Sequence, residues 1–163
     1  MRPRPISNPR NPWDATTVDW LGDPPPALPR VYADRSREIL SRNDSPDVPY
    51  TWSVNPYRGC EHGCIYCYAR PTHEYLGMSA GLDFESKIFV KHNAATLLRE
   101  KLGSRSWQPH VIFFSGITDP YQPLERKLKI TRACLEVLNE FGNPAALISK
   151  NHLVMRDVDL LGE

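Results

Sequence analysis

The chain has 163 residues, 40% of them hydrophobic and 24% charged, which is the size and composition of one globular domain with its own core. Its net charge of +1 supplies no electrostatic argument for nucleic acid or for a membrane surface. No run approaches the roughly 18 apolar residues of a membrane span, and Met1-Arg2-Pro3-Arg4-Pro5 has no apolar segment behind it to make a secretory signal.

The expectation is a cytoplasmic chain with no membrane partner. There thiols stay reduced, and clustered cysteines are metal ligands rather than disulfides.

Residues 1–45 read as a proline-rich arm and residues 46–163 as the folded domain. Half of the sixteen prolines fall within residues 1–30, including Pro24-Pro25-Pro26. Proline lacks an amide hydrogen, so this stretch is expected to be extended or disordered. Arg2, Arg4 and Arg10 precede any acid, which makes the tip basic. A solvated tail is the plain reading of the arm, and a nucleic-acid arm the sharper one. Trp13 and Trp20 are candidates to pin it to the body.

A short helix is expected around residues 36–40, then a turn through Asp44-Ser45-Pro46-Asp47-Val48-Pro49. Tyr50-Thr51-Trp52-Ser53-Val54 is β-prone and reads as the first strand, delivering the residues after it to a site at its carboxyl end. Residues 68–84 hold Pro71, Gly77 and Gly81 and read as an interrupted crossover helix. Lys87-Ile88-Phe89-Val90-Lys91 reads as a short extended segment.

Asn93 is placed to cap a helix over residues 94–102, with Leu97, Leu98 and Leu102 on one face and Gly103 closing it. His110-Val111-Ile112-Phe113-Phe114-Ser115-Gly116 is the clearest strand, its apolar run suiting a parallel strand covered on both faces. A helix is predicted over residues 124–141, with Leu128, Leu135 and Leu138 on one stripe and Cys134 a buried free thiol beside it. Gln122, Glu125 and the run Arg126, Lys127 and Lys129 are expected on its exposed face. A third strand over residues 145–150 and a helix from Arg156 complete a βα alternation that predicts an α/β fold with a parallel sheet.

The chemistry concentrates in Arg58-Gly59-Cys60-Glu61-His62-Gly63-Cys64-Ile65-Tyr66-Cys67-Tyr68. Three of the four cysteines stand here in a C-x3-C-x2-C spacing flanked by Gly59 and Gly63. Thiolates are soft donors for zinc, copper(I) or iron–sulfur clusters. A cubane held by Cys60, Cys64 and Cys67 would keep one iron without a cysteine ligand. Zinc with His62 or His73 as fourth ligand is the structural alternative. Spacing alone leaves both open.

The cysteine loop, with an aromatic just before its third cysteine, resembles the signature loop of radical S-adenosylmethionine (SAM) enzymes. The wider stretch from Ser53-Val54-Asn55-Pro56-Tyr57-Arg58-Gly59-Cys60 to Cys67-Tyr68-Ala69-Arg70 resembles uncharacterised bacterial members related to spore photoproduct lyase, often labelled DNA-repair-photolyase-like. The resemblance runs from about residue 37 onwards.

It implies a 4Fe-4S cluster on Cys60, Cys64 and Cys67, with SAM on the fourth iron. It implies reductive cleavage of SAM to a 5′-deoxyadenosyl radical acting on an unknown substrate, with nucleic-acid repair suggested by the relatedness alone. Tyr66 would lie near the adenine. Ser115, Thr118 or Asp119 would stand in for the superfamily's Gly-Gly-Glu-like motif at the SAM amino group, from which this sequence departs; an ordinary turn and helix cap is the plain reading of that stretch. Ser149 and Lys150 would face the SAM ribose and carboxylate, against a solvated strand end. Asn55, Tyr57, Arg58 and Arg70 surround the loop, to tune a cluster's potential or to orient the loop.

An electron donor of the flavodoxin or ferredoxin type is the implied partner. The implied fold is the N-terminal half of a partial (βα)6 barrel, truncated at its C-terminus. Two further readings are a zinc-stabilised nucleic-acid-binding module and an electron-transfer iron–sulfur protein.

Overall fold

Residues 28–162 are described by the structure, a computed structural model. The expectations for Trp13, Trp20 and the first 27 residues of the arm lie outside the described residues.

Among the described residues, seven short strands form two sheets. They are β1 (Arg30–Ala33), β2 (Leu40–Arg42), β3 (Trp52–Val54), β4 (Tyr57–Arg58), β5 (Lys87–Val90), β6 (Ile112–Phe114) and β7 (Ala145–Leu147). The first sheet has the order β1-β5-β4, with β1 parallel to β5 and β4 antiparallel to it. The second has the order β2-β3-β6-β7, with β2 antiparallel to β3 and the rest parallel. This corrects the expected half of a parallel (βα)6 barrel: the fold is mixed α/β with two mixed sheets. Wholly apolar runs of the kind that signals a covered parallel strand exist among the described strands at β6 and β7. The remaining strands are two to four residues long, and backbone pairing rather than side-chain pattern decides their direction.

Part of the stretch read as arm is folded, since β1 and β2 belong to the sheets. The helix expected near residues 36–40 is absent; Leu40 starts β2 instead.

Register explains where the core sits. Leu40, Val54, Phe114 and Leu147 are aligned across the second sheet, and successive residues of a strand point to opposite faces. That face packs on α2 (Ala94–Leu102) and α4 (Ile130–Glu140) through Leu98, Leu102, Cys134, Leu135 and Leu138. The other face carries Ser41, Ser53, Phe113 and Ala146.

Three shorter helices complete the described chain: α1 (Leu82–Ser86), α3 (Glu125–Leu128) and α5 (Val158–Leu161). Short 3₁₀ helices span Arg70–Leu76 and His152–Asp157. The single helix expected over residues 124–141 is divided at Lys129, which adopts a left-handed φ of 54°. Gln122 and Glu125 are fully buried, against the expectation of an exposed face. Among the described residues no helix is long and apolar enough to cross a membrane.

Candidate functional site

The cysteine loop starts where β4 ends. Gly59 has a φ of +81°, a conformation that costs a side chain free energy. A Cβ there would also stand 2.8 Å from the Phe84 carbonyl oxygen and 2.9 Å from His73 Cε1. This close approach lets the Cys60 amide donate to the Phe84 carbonyl at 3.0 Å. Gly63, at φ +61°, lies over the Glu85 carboxylate, 3.0 Å from Oε2 to a Cβ position.

Glu85 is buried and paired with Arg70. Arg70 also donates to the carbonyls of Cys64 at 2.9 Å, Ala80 at 3.2 Å and Gly81 at 3.1 Å. Of the two roles open to Arg70, orienting the loop is the one its contacts serve. Arg58 points elsewhere, to Asp34 at 2.8 Å.

A second segment, following β6, grips the loop from the other side. Thr118 Oγ1 donates to the Gly59 carbonyl at 2.7 Å. Gln122 Nε2 donates to Thr118 Oγ1 at 3.2 Å and to the Gly59 carbonyl at 3.3 Å, while its Oε1 accepts from the Glu61 amide at 3.1 Å. Asn55 Oδ1 accepts from the amides of Gly116 at 2.9 Å and Ile117 at 3.0 Å, which ties the end of β3 to the end of β6. Ser115 sits at φ 85° and donates through Oγ to the Thr118 carbonyl at 2.7 Å.

The third segment follows β7. Asp119 Oδ1 accepts from Ser149 Oγ at 2.8 Å and from the Tyr121 amide at 2.8 Å, and Oδ2 accepts from the Lys150 amide at 2.9 Å. His62 Nε2 is buried, lacks a hydrogen-bond partner among the described residues, and stands 3.4 Å from Asp119 Oδ2. Burial alone would raise the Asp119 carboxyl; His62 and these donors outweigh it and hold the group below its ordinary value. Lys150 Nζ donates to Tyr66 Oη at 2.7 Å and to Cys64 Sγ at 3.3 Å. Those two hydrogen bonds hold the ammonium above its ordinary value.

The three segments enclose one cavity of about 310 Å³. Cys60, Cys64 and Cys67 line it together with Tyr66, Ser115, Thr118, Asp119, Ser149 and Lys150, so residues up to 90 positions apart meet in one wall. Burial pushes the Cys60 thiol up to about 12. The sulfurs share the wall without converging on a point: among the described residues no group of three or more His, Cys, Asp or Glu side chains could hold a single metal ion. His62 lines the cavity, whereas His73 does not. His73 is fully buried behind Gly59, its Nε2 donating to the Lys87 carbonyl at 2.9 Å.

Sequence reasoning missed the cavity's aromatic side. Tyr50 and Phe113 stack with centroids 4.2 Å apart, and both line it. Tyr68, 78% exposed, is fixed by a 2.7 Å hydrogen bond from its hydroxyl to the Gly116 carbonyl. The two-residue period of β6 was the available signal, because it turns Phe113 away from the face that buries Ile112 and Phe114.

Comparison with known proteins gives relatives without an assigned role. The chain is 40% identical over 116 residues to the uncharacterised protein Rv2578c of Mycobacterium tuberculosis, a match covering 71% of this chain and 34% of that protein. It is 31% identical over 129 residues to the uncharacterised protein MJ0683 of Methanocaldococcus jannaschii, covering 77% of this chain and 44% of that one. ORF301 of Acidianus two-tailed virus is 26% identical over 116 residues, covering 69% and 38%. The chain thus spans about a third of the mycobacterial relative and less than half of the other two. No family model and no solved structure matches it.

Proposed function

We propose that this chain carries the cluster-binding part of a radical SAM enzyme, a cytoplasmic iron–sulfur protein supplied by a flavodoxin- or ferredoxin-type electron donor. The observation that supports this reading best is the shared cavity. Three thiols from one C-x3-C-x2-C loop face it, and the groups brought in beyond the carboxyl ends of β6 and β7 complete its wall. Sites of α/β proteins form in this position.

The residues fit the group in their donor chemistry. A polynuclear cluster offers separate irons to separate thiols, so it asks for soft donors around one cavity rather than convergence on one point. Cys60, Cys64 and Cys67 would hold the cluster. Tyr66, Ser115, Thr118, Asp119, Ser149 and Lys150 are the candidates to face SAM. When bound, the two cofactors supply reductive cleavage of a sulfonium C–S bond to methionine and a 5′-deoxyadenosyl radical that takes hydrogen from a substrate.

The chain's own part is to hold and shield. Arg70, Thr118 and Gln122 fix the cysteine loop through its backbone carbonyls and amides. Lys150 brings a positive charge to within 3.3 Å of Cys64 Sγ and offers an anionic ligand group its only ammonium in the cavity wall among the described residues. Asp119 has both oxygens engaged, so its first role is to brace the ends of β6 and β7. Nucleic acid as the substrate class rests on the sequence resemblance alone.

One observation favours a second reading. His62 presents a buried Nε2 without a hydrogen-bond partner among the described residues, in the same cavity as the thiols. A Cys3His zinc site in a binding module would use it, once the thiols and His62 drew together from positions that do not now converge on one ion.

Anaerobic reconstitution with iron and sulfide, followed by electron paramagnetic resonance of the reduced protein with and without SAM, separates the readings. The expected result is a cubane signal that changes when SAM is added, lost in Cys60→Ser, Cys64→Ser and Cys67→Ser. Stoichiometric zinc without sulfide, retained in this chain and in the full-length mycobacterial relative, would overturn the radical reading. A cluster indifferent to SAM in both would point to electron transfer.

A further inference from the structure

A second cavity, of about 490 Å³, lies between the edge strand β2 and helix α2. It is lined by Trp52, which pairs with Ile112 across the second sheet and so points to the face opposite Phe113 of the cysteine cavity. None of the residues lining one lines the other.

Three cations face this groove: Arg37 before β2, Arg42 at its end and Lys101 on α2. None of them makes an ion pair among the described residues, although Glu38 and Glu100 stand in the same walls. Arg58, Arg70, Lys87, Arg99, Arg132 and Arg156 each hold a carboxylate, but Arg35, Arg105, Arg126 and Lys127 make no ion pair among the described residues either, so it is the shared groove that sets these three apart. The three line one concavity, Arg37 and Arg42 from the β2 side and Lys101 from α2. Guanidinium groups present two N–H donors in a fork that matches phosphate.

The floor is aromatic. Trp52 is half-buried, tilted against Trp107 at 5.6 Å, and Lys101 Nζ lies over its ring, 6.0 Å from the centroid. Leu97 and the buried Ile39 and Leu40 continue the apolar surface beside it. Cations and an indole lining one groove together match a ligand with two ends, one anionic and one flat and aromatic. Glu38 and Glu100 then serve as acceptors for hydroxyl and amino groups between those ends.

We propose that the groove between β2 and α2 binds a nucleotide unit, its phosphates on Arg37, Arg42 and Lys101 and its base against Trp52. This reading is independent of the cysteine cavity. The unit can come as a free nucleotide or as part of a single strand, and the two sources share this chemistry.

The test is calorimetric titration of the full 163-residue chain, without added iron, with ADP, inorganic pyrophosphate and a short oligothymidylate. Binding of ADP or of the oligonucleotide, with pyrophosphate weaker by roughly tenfold or more for want of stacking, supports the proposal; the tighter of the two names the source. Arg42→Ala and Lys101→Ala should each weaken that binding by roughly tenfold, the loss of one charge-assisted contact, while leaving the thermal unfolding curve in place. Trp52→Phe tests the floor with a ring retained, and Arg37→Glu tests the cations by reversal. Pyrophosphate binding as tightly as ADP would overturn the base contact. Failure of all three ligands to bind, or binding unmoved by Arg42→Ala, Lys101→Ala and Arg37→Glu together, would overturn the site. The titrations contain no iron or sulfide, which keeps this result apart from the fate of the cluster.

Discussion

At Gly59 a single methyl group would meet backbone as well as a buried side chain: the Phe84 and Lys87 carbonyl oxygens stand 2.8 Å and 3.0 Å from the Cβ position, and His73 Cε1 2.9 Å from it. At Gly63 the nearest atoms belong to the Glu85 side chain, which has rotamers to move through. Both positions carry a positive φ, and a non-glycine residue in such a conformation costs about 1–3 kcal/mol. Gly59→Ala should therefore lower the melting temperature more than Gly63→Ala, since strain and collision add at the first site. Thermal denaturation followed by circular dichroism reads both, and equal losses would mean that the strand behind Gly59 gives way. The flanking glycines were legible in the sequence because a tight thiol loop demands them. Gln122 and Glu125 were not. Polar residues beside the run Arg126, Lys127 and Lys129 read as a solvent face, and the partners that bury them, the Gly59 carbonyl and Arg156, come from far along the chain.

Between elements, the buried carboxylates work as rivets. Glu125 in α3 accepts from the Tyr57 hydroxyl of β4, from the Thr131 amide at 3.0 Å and from Arg156 at 2.8 Å. Asp157 lies fully buried at the junction of the second 3₁₀ helix and α5, paired with Arg156 at 2.6 Å and with Arg132 of α4 at 2.9 Å. Burial would raise the Asp157 carboxyl, but the two guanidinium groups outweigh it and hold the group below its ordinary value. A depressed folded-state value stabilises the protein fully above the unfolded carboxylate's value, about 4, and that contribution disappears as the pH falls through the folded value. Asp157→Asn should thus cost roughly 3 kcal/mol at neutral pH, as for a broken buried pair, and the gap to wild type should narrow below about pH 4. Denaturant titrations at neutral and acid pH check this; a gap that stays constant would mean that Asp157 stabilises by shape alone. The break between α3 and α4 has its own test. Lys129 sits at φ 54°, where glycine is free of the left-handed penalty of about 1–2 kcal/mol, so Lys129→Gly should stabilise and Lys129→Ala should not. No glycine or asparagine marked this turn, so the apolar stripe from Leu128 to Leu138 read straight through it.

For the molecule as a whole, the βα alternation was visible and its assembly was not. The parallel run β3-β6-β7 lies within a sheet whose edge, β2, is antiparallel, and β1, β5 and β4 make a sheet of their own. Three-residue strands such as Leu40–Arg42 carry too little pattern to declare a partner. What could be read was the chemistry at strand ends, because thiols, glycines and polar turns mark themselves. The consequence reaches across the chain. Residues 59–69, 115–119 and 148–150 are separate in sequence, but they share one cavity and are cross-tied by Thr118, Asp119 and Lys150. A ligand that binds only the folded cavity stabilises all of its walls through mass action. Hydrogen exchange should therefore show the three segments gaining protection together when the protein is reconstituted with iron and sulfide. The sheet core at Val54, Ile112 and Phe114, already fully buried, should change little, because its exchange requires global opening. Protection confined to residues 60–68 would instead describe a metal held by a local loop, and the far walls would then have no part in the site.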